Sequence, residues 1–312
     1  MSRPLPERVQ AAARAFCDLT VRRNTGPLTG EEMHRSLVEY DAVVPTLGDL
    51  YSAEVFAAAP VPRARLLANF GVGYNHIDVA AAQAAGIAVT NTPGAVTEAT
   101  ADIALTLMLM SARRAGEGER LVRAGAWDGW HPTQLLGLHL GQKTVGIVGM
   151  GRIGQAIARR CHFGFGMHIA YHSRSSKSLE FPTTRADSLT DLASHVDILV
   201  IAVPGGTETH HLINATVLAN MQPHAHLINI ARGNVIAEAD LIMALQSGQI
   251  AGAGLDVYEF EPVVPEALKA MKNVVLLPHL GTAALEVREE MGWMSVANLR
   301  AFAEDAPLPN QV

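Results

Sequence analysis

The sequence predicts an α/β protein, with a doubly wound parallel sheet in its larger part and a second, smaller α/β unit ahead of it. Three observations carry this reading. From Lys143 onward, six short apolar runs, KTVGIVG, MHIAYHS, VDILVIAVP, HAHLINIAR, AGAGLDVY and NVVLLPH, alternate with helical patterns. The runs are rich in Val and Ile and nearly continuous in hydrophobicity, as strands covered on both faces are. At 312 residues the chain is long for one core and comfortable for two domains.

Taken in order, PERVQAAARAFC reads as a helix, DAVVPT and RARLLANF as strands, DVAAAQAAG as a helix ended by Gly86, and IAVTNTP as a further strand. TEATADIALTLMLMSARRAGEGERLVRAG reads as one long helix leaving this smaller unit for the larger one. Between the six later strands lie the helical segments GRIGQAIARRC, SLTDLASH, TETHHLINATVLANM, EADLIMALQSGQ and PEALKAM. This alternation implies βαβ units and a parallel sheet. The pattern GTAALEVREEMGWMSVANLRAFAED closes the chain as a long helix. Residues 1–95 with 286–312 are therefore expected to form one domain, and residues 96–285 the other.

Composition narrows the function. With 49% hydrophobic and 17% charged residues, the chain has the make-up of a globular protein. Its longest apolar stretch, ALTLMLM, falls far short of the roughly 18 residues of a membrane span. The N-terminus lacks the apolar block of a secretory signal, so a cytoplasmic address is expected. Cys17 and Cys161 are too scattered for a disulfide framework or a paired metal-ligand spacing. A formal charge of -6 without a compensating Lys/Arg run argues against a nucleic-acid surface. An anionic small substrate would need a local positive site.

VGIVGMGRIGQAIARR sets Gly149, Gly151 and Gly154 in G-x-G-x-x-G spacing between a strand and a helix. The first glycine permits the tight turn, the second lets the backbone approach a pyrophosphate, and the third lets helix and strand pack closely. The next strand ends in IAYHSRSSK, where a dinucleotide-binding chain normally carries an acid for the ribose 2′-OH. No carboxylate stands there. Ser173, Arg174 and Ser175 offer instead a guanidinium and hydroxyl donors suited to a 2′-phosphate, which implies NADP(H) in preference to NAD(H). The alternative is a solvated basic turn.

Three further residues follow three successive strands: Arg232 after LINIA, Glu261 after GLDVYEF, and His279 at the end of NVVLLP. Ligands of open α/β sheets bind at those carboxyl ends, so residues distant in sequence converge there. Singly each has a dull explanation, since the chain holds 13 histidines and strand-end ion pairs are common. Together with a dinucleotide loop they form an acid, its carboxylate partner and an anion anchor.

INIARGNVIAEADLIMAL, AGAGLDVYEFEP, NVVLLPHLG and the glycine loop resemble the D-2-hydroxyacid dehydrogenases, and within them the glyoxylate/hydroxypyruvate reductase branch. NFGVGYNHID and VTNTPG extend the resemblance over nearly the whole chain. It implies a Rossmann nucleotide domain, a flavodoxin-like substrate domain and a homodimer. It makes Arg232 the substrate anchor, His279 the general acid and Glu261 its partner. It sets Asp256 near the nicotinamide and assigns the substrate carboxylate to the backbone at Val72 and Gly73. Further cofactor contacts are implied at Thr97, Met150, Arg152, Ile153, Val203, Pro204, Thr209, Ile230, Ala231, Gly281 and His279. The implied activity is NADPH-dependent reduction of a small 2-keto acid, glyoxylate or hydroxypyruvate, to the D-2-hydroxy acid. A broader 2-keto acid reductase, including a 2-ketogluconate type, is the near alternative, and a non-catalytic NAD(P)-sensing protein of the same fold the distant one.

Other candidates are weaker. His224 and His226 lack a third ligand, so no metal is expected, and the pair His210 and His211 reads as helix surface. Trp127 and Trp130 read as core anchors, or, by the resemblance, Trp130 reaches the partner subunit's site. Thr46 and Leu47 either lie over the substrate side chain or pack the lid. Two departures from the family pattern stand out: Gly205 and Gly206 replace the more usual Leu-Thr after Val-Pro, and Met1 stands directly before SRPLPE, where a first strand is expected. A missing strand would leave an unpaired edge beside RARLLANF or its neighbour.

Overall fold

The computed structural model describes residues 1–312, which divide into one unit of Met1–Val96 with Thr282–Val312 and another of Thr97–Gly281. In the first unit the strands β1 (Ala42–Val43), β2 (Leu66–Ala68) and β3 (Ala88–Thr90) form a parallel sheet in that order. Leu37, Tyr51, Phe56, Leu67 and Ile87 fill its core. The helix Leu285–Ala303 joins this unit by approaching the helix Glu7–Arg14 closely at Gly292, where a Cβ would meet Val9 Cγ2 at 2.4 Å.

RARLLANF supplies the central strand β2, so the edges of this sheet fall on its neighbours β1 and β3. The outer side of β1 receives the Ser2 N–H on the Val44 carbonyl (3.0 Å). Residues 17–24 form no strand. Two helices in this unit, Gly30–Glu39 and Ala53–Ala57, lie in segments the periodicity left unassigned. The first starts on a full capping box, with the Thr29 side chain accepting from Glu32 N and Glu32 accepting from Thr29 N.

The second unit is a seven-stranded parallel sheet of β4 (Thr144–Val148), β5 (His168–His172), β6 (Thr183–Arg185), β7 (Ile198–Ile201), β8 (His226–Asn229), β9 (Gly252–Leu255) and β10 (Val274–Leu276). Their order is β10-β9-β8-β7-β4-β5-β6, with the reversal at β4. Separate apolar cores cover the two faces, one around Ile147, Val200 and Ile228 and the other around Leu199, Leu227 and Ala253. The expected fold, parallel sheets with helices in a two-domain α/β chain, is what the structure has.

Three elements differ from expectation. The edge strand β6 has no signature in the sequence, because TTR is short, largely exposed and carries no apolar run. The long helix after residue 96 is two helices, Thr97–Ala112 and Ala115–Arg123. Leu138 N takes the Ala112 carbonyl at 2.8 Å, and Arg114 turns left-handed at φ 52°, which ends the first helix. TETHHLINATVLANM is a 3₁₀ turn (Thr207–Thr209), a bridge from Ile213 to Ile236, and a helix (Ala215–Asn220) that starts where Asn214 caps Thr216 N and Val217 N.

Candidate active site

The glycine turn after β4 is built by crowding on two sides and openness on the third. Gly149 has φ +96°, and a Cβ there would meet the Ala202 carbonyl and Val203 Cγ1, both at 2.8 Å. At Gly154 a Cβ would strike the Gly149 carbonyl at 2.2 Å, so helix and strand touch only through glycine. A Cβ at Gly151 would meet nothing within 4 Å. The protein's own packing does not demand glycine at that position. The space it leaves lies at the N-terminus of the helix Arg152–Phe165, where unpaired N–H groups favour an anion. Val203 lies against the turn at Gly149.

Arg232, Glu261 and His279 all follow strands of the same sheet at its carboxyl end. Arg232 caps the 3₁₀ turn Gly233–Val235 after β8, and Asn229 holds that loop: its Nδ2 donates to the Arg232 carbonyl and its Oδ1 accepts from Ala231 N, both at 3.0 Å. Gly233 lets the turn lie against the next loop, since a Cβ there would overlap the Tyr258 carbonyl carbon at 1.8 Å. His279 sits in the left-handed region at φ 55°. Its loop is fastened by Asp256, whose carbonyl accepts from His279 N (2.9 Å) and whose carboxylate accepts from Leu280 N (2.6 Å) and Gly281 N (2.8 Å). Thr100 Oγ1 donates to the Gly281 carbonyl at 3.1 Å.

His279 Nδ1 lies 2.9 Å from Glu261 Oε2, while Glu261 Oε1 accepts from Tyr258 N at 3.0 Å. Burial pushes the Glu261 carboxyl up, but the hydrogen bond and charge of His279, the Tyr258 N–H and the Arg232 charge together hold it below its ordinary value. Burial lowers the Arg232 guanidinium, with Glu261 opposing that shift. Asp256 is raised, mainly by burial and against the N–H donors of Leu280 and Gly281 and the charge of His279. The trio thus joins an ionised carboxylate, an imidazole fixed by it, and a permanent cation.

Ser173, Arg174 and Ser175 lie in the loop after β5. Arg185, at the end of β6, donates to the Ser173 carbonyl at 3.1 Å. Arg174 Nη1 donates to Glu208 Oε2 at 3.2 Å, from the 3₁₀ turn that follows β7. Gly206 begins that turn at φ +153°, a backbone position L side chains rarely adopt, which accounts for glycine in place of the usual Thr. Thr209 Oγ1 donates to the Pro204 carbonyl at 2.8 Å and closes the turn.

Several weaker candidates resolve. His210 and His211 are not helix surface: their rings stack at 3.8 Å, and His211 Nε2 bonds Glu259 Oε1 at 2.6 Å. Donor atoms of His210, His211 and Glu259 lie within 4.8 Å of one another. His211 and Glu259 are nevertheless engaged with each other, and Glu259 Oε2 also accepts from Glu238 N. His226 shares a 2.8 Å hydrogen bond with Ser111 Oγ, and His224 Nε2 lies 2.8 Å from Asp197 Oδ1. Trp127 and Trp130 are 52% and 80% exposed, so neither anchors the core of this chain. Thr46 is buried, with its N–H and hydroxyl both bonded to Asp49, which is a packing role.

The chain is similar to known proteins. Residues 105–281, more than half of the chain, match the family model described as D-isomer specific 2-hydroxyacid dehydrogenase, NAD binding domain. This chain belongs to the D-isomer specific 2-hydroxyacid dehydrogenases. It is 44% identical to a glyoxylate reductase of Thermococcus kodakarensis over 100% of this chain and 95% of that one. The NADPH-dependent glyoxylate/hydroxypyruvate reductase of Sinorhizobium meliloti, solved with NADP and malonate, superposes with a TM-score of 0.86 at 38% identity, covering 100% of this chain and 95% of that one. A glyoxylate reductase from Paecilomyes thermophila gives 0.85 at 34% identity, covering 99% and 95%.

The chain is therefore an oxidoreductase with an NAD(P)-binding domain, and no helix in it is long and apolar enough to cross a membrane. The residues missed from sequence are supports: Asn229, Gly233 and Tyr258 around Arg232, Glu261 and His279, and Arg185 at the loop after β5. Asn229 had a signal, as a lone amide inside the apolar run LINIA. Ile230 and Ala231 are buried beside it, and Thr97 opens its helix. In the other unit, the Val72 and Gly73 carbonyls accept from Asn91 Nδ2 (2.9 Å) and Asn69 Nδ2 (3.0 Å). Leu47 is half-buried in the loop after β1.

Proposed function

We propose that this dehydrogenase reduces a small 2-keto acid, glyoxylate or hydroxypyruvate, to the D-2-hydroxy acid with NADPH, as a cytoplasmic homodimer. The observation that carries the reading is the 2.9 Å pairing of His279 Nδ1 with Glu261 Oε2 at the sheet end that also bears Arg232. The named activities of the Thermococcus and Sinorhizobium relatives support the substrate class.

Gly149, Gly151 and Gly154 would hold the pyrophosphate, and Ser173, Arg174 and Ser175 the adenosine 2′-phosphate. When bound, the dinucleotide supplies the hydride for the carbonyl carbon. The protein's share is binding, orientation and the proton. Arg232 pairs with the substrate carboxylate and draws electron density toward the carbonyl oxygen. With Nδ1 turned to Glu261, His279 presents Nε2 as the proton donor to that oxygen, and the carboxylate stabilises the charged ring before transfer. Asp256 positions His279 by holding its loop. The backbone at Val72 and Gly73 is proposed for the carboxylate by family likeness. Leu47, and Trp130 of a second copy, are proposed on the substrate side by family likeness.

The test is a panel of 2-keto acids assayed with NADPH and with NADH, following loss of reduced-cofactor absorbance. Substrate-dependent oxidation with glyoxylate or hydroxypyruvate, faster with NADPH, is expected. Absence of turnover across the panel would overturn the reading in favour of a sensing protein.

A further inference from the structure

We propose that Glu208 sets the strength of the NADP(H) preference, by holding the guanidinium that receives the 2′-phosphate and by offering its carboxylate to a free ribose 2′-hydroxyl. The inference rests on the assignment of Arg174 to the 2′-phosphate made above.

The two residues come from different loops of the sheet's carboxyl end. Arg174 follows β5, and Glu208 lies on the turn Thr207–Thr209 after β7, so the pair flanks the glycine turn after β4 in the order β7-β4-β5. Neither backbone is loosely placed. Arg185 Nη2 holds the Ser173 carbonyl at 3.1 Å, next to Arg174. Thr209 Oγ1 holds the Pro204 carbonyl at 2.8 Å, and Thr209 N bonds the Gly206 carbonyl at 3.1 Å, around Glu208. Only the side chains meet in solvent, 3.2 Å apart and 89% and 81% exposed.

A dinucleotide-binding strand that ends in Ser-Arg-Ser has no acid of its own for a ribose hydroxyl. Glu208 brings a carboxylate to the same guanidinium from the neighbouring loop. A 2′-phosphate must displace or share that carboxylate and is repelled by it, whereas a 2′-hydroxyl can donate to it. Glu208 therefore weakens NADPH and favours NADH. Both charges are exposed, so the effect is modest, about two- to fivefold in affinity.

The experiment is calorimetric binding of adenosine 2′,5′-bisphosphate and of 5′-AMP to wild type, Glu208→Gln, Glu208→Lys and Arg174→Ala, at one fixed low salt concentration. Wild type should bind the bisphosphate more tightly than 5′-AMP. Glu208→Gln should tighten the bisphosphate about two- to fivefold, and Glu208→Lys further, with 5′-AMP unchanged or weaker. A discriminating wild type whose preference is lost in Arg174→Ala but unmoved or reduced in Glu208→Gln would overturn the role of Glu208 alone. A wild type that binds both ligands equally would overturn the 2′-phosphate assignment and this inference together.

Discussion

Two histidines lie at opposite ends of one sheet and have opposite surroundings. His226 opens β8 at the amino end; it is buried, shares its Nδ1 with a neutral hydroxyl of Ser111 at 2.8 Å, and burial lowers it to about 4. His279 follows β10 at the carboxyl end, with its side chain 30% exposed and its Nδ1 2.9 Å from the Glu261 carboxylate. A cavity of about 590 Å³ opens at the amino end, lined by Ser111, His224, His226 and Lys272, away from the site we propose. The difference teaches that the depth and charge of its partner decide what an imidazole does. A buried ring beside a hydroxyl stays neutral and packs. The partly exposed ring paired with a carboxylate is the one we propose as the proton donor.

The comparison breaks first at His279. Replacing it with Gln should lower kcat by about 100- to 10,000-fold, the range for a lost general acid, while NADPH binding by calorimetry stays near wild type. Wild-type turnover in His279→Gln would remove the acid assignment.

The next largest effect belongs to His226 and concerns stability. Its folded value of about 4 lies below the ordinary 6.5. Between those values the unfolded chain takes the proton and the folded chain does not. The stability present above pH 6.5 is therefore lost as pH falls toward 4, by up to roughly 3 kcal/mol. Urea midpoints between pH 7 and 4.5 should fall less steeply in His226→Gln than in wild type. An equal slope in both would mean that other groups drive the acid sensitivity.

Smaller effects sharpen the carboxyl-end account. Arg174→Ala should lower kcat/KM with NADPH about 10- to 100-fold and leave NADH nearly unchanged, as loss of one charge-assisted contact predicts. An unchanged ratio of the two efficiencies would reduce the loop to a solvated turn. Arg232→Lys keeps the charge and loses the two-pronged grip, so KM for the keto acid should rise and kcat fall, by about tenfold in kcat/KM. If both parameters hold, the carboxylate is bound elsewhere.

How much of this could be read from the sequence depends on range. Strands buried on both faces, such as Ile198–Ile201, announce themselves by unbroken apolar character, and the strand ends then bring Arg232, Glu261 and His279 to one side of the sheet. The supports of those residues were hidden because they act through tertiary contacts. Gly233 matters only because Tyr258 lies against it, and the helix ends at Ala112 where Leu138 takes its carbonyl and Arg114 turns left-handed. The strand β6 and the Glu208 contact have no apolar or periodic signature at all. The helix Gly30–Glu39 is a different case, since Thr29 and Glu32 spell its capping box in plain residues that periodicity alone passes over.

The most direct test of the division between the two ends is the ratio of glyoxylate turnover with NADPH in His226→Gln to that in His279→Gln, measured side by side at neutral pH. The account predicts a ratio of about 100 or more, because removing the packed histidine spares the chemistry and removing the paired one does not. A ratio near one would contradict it.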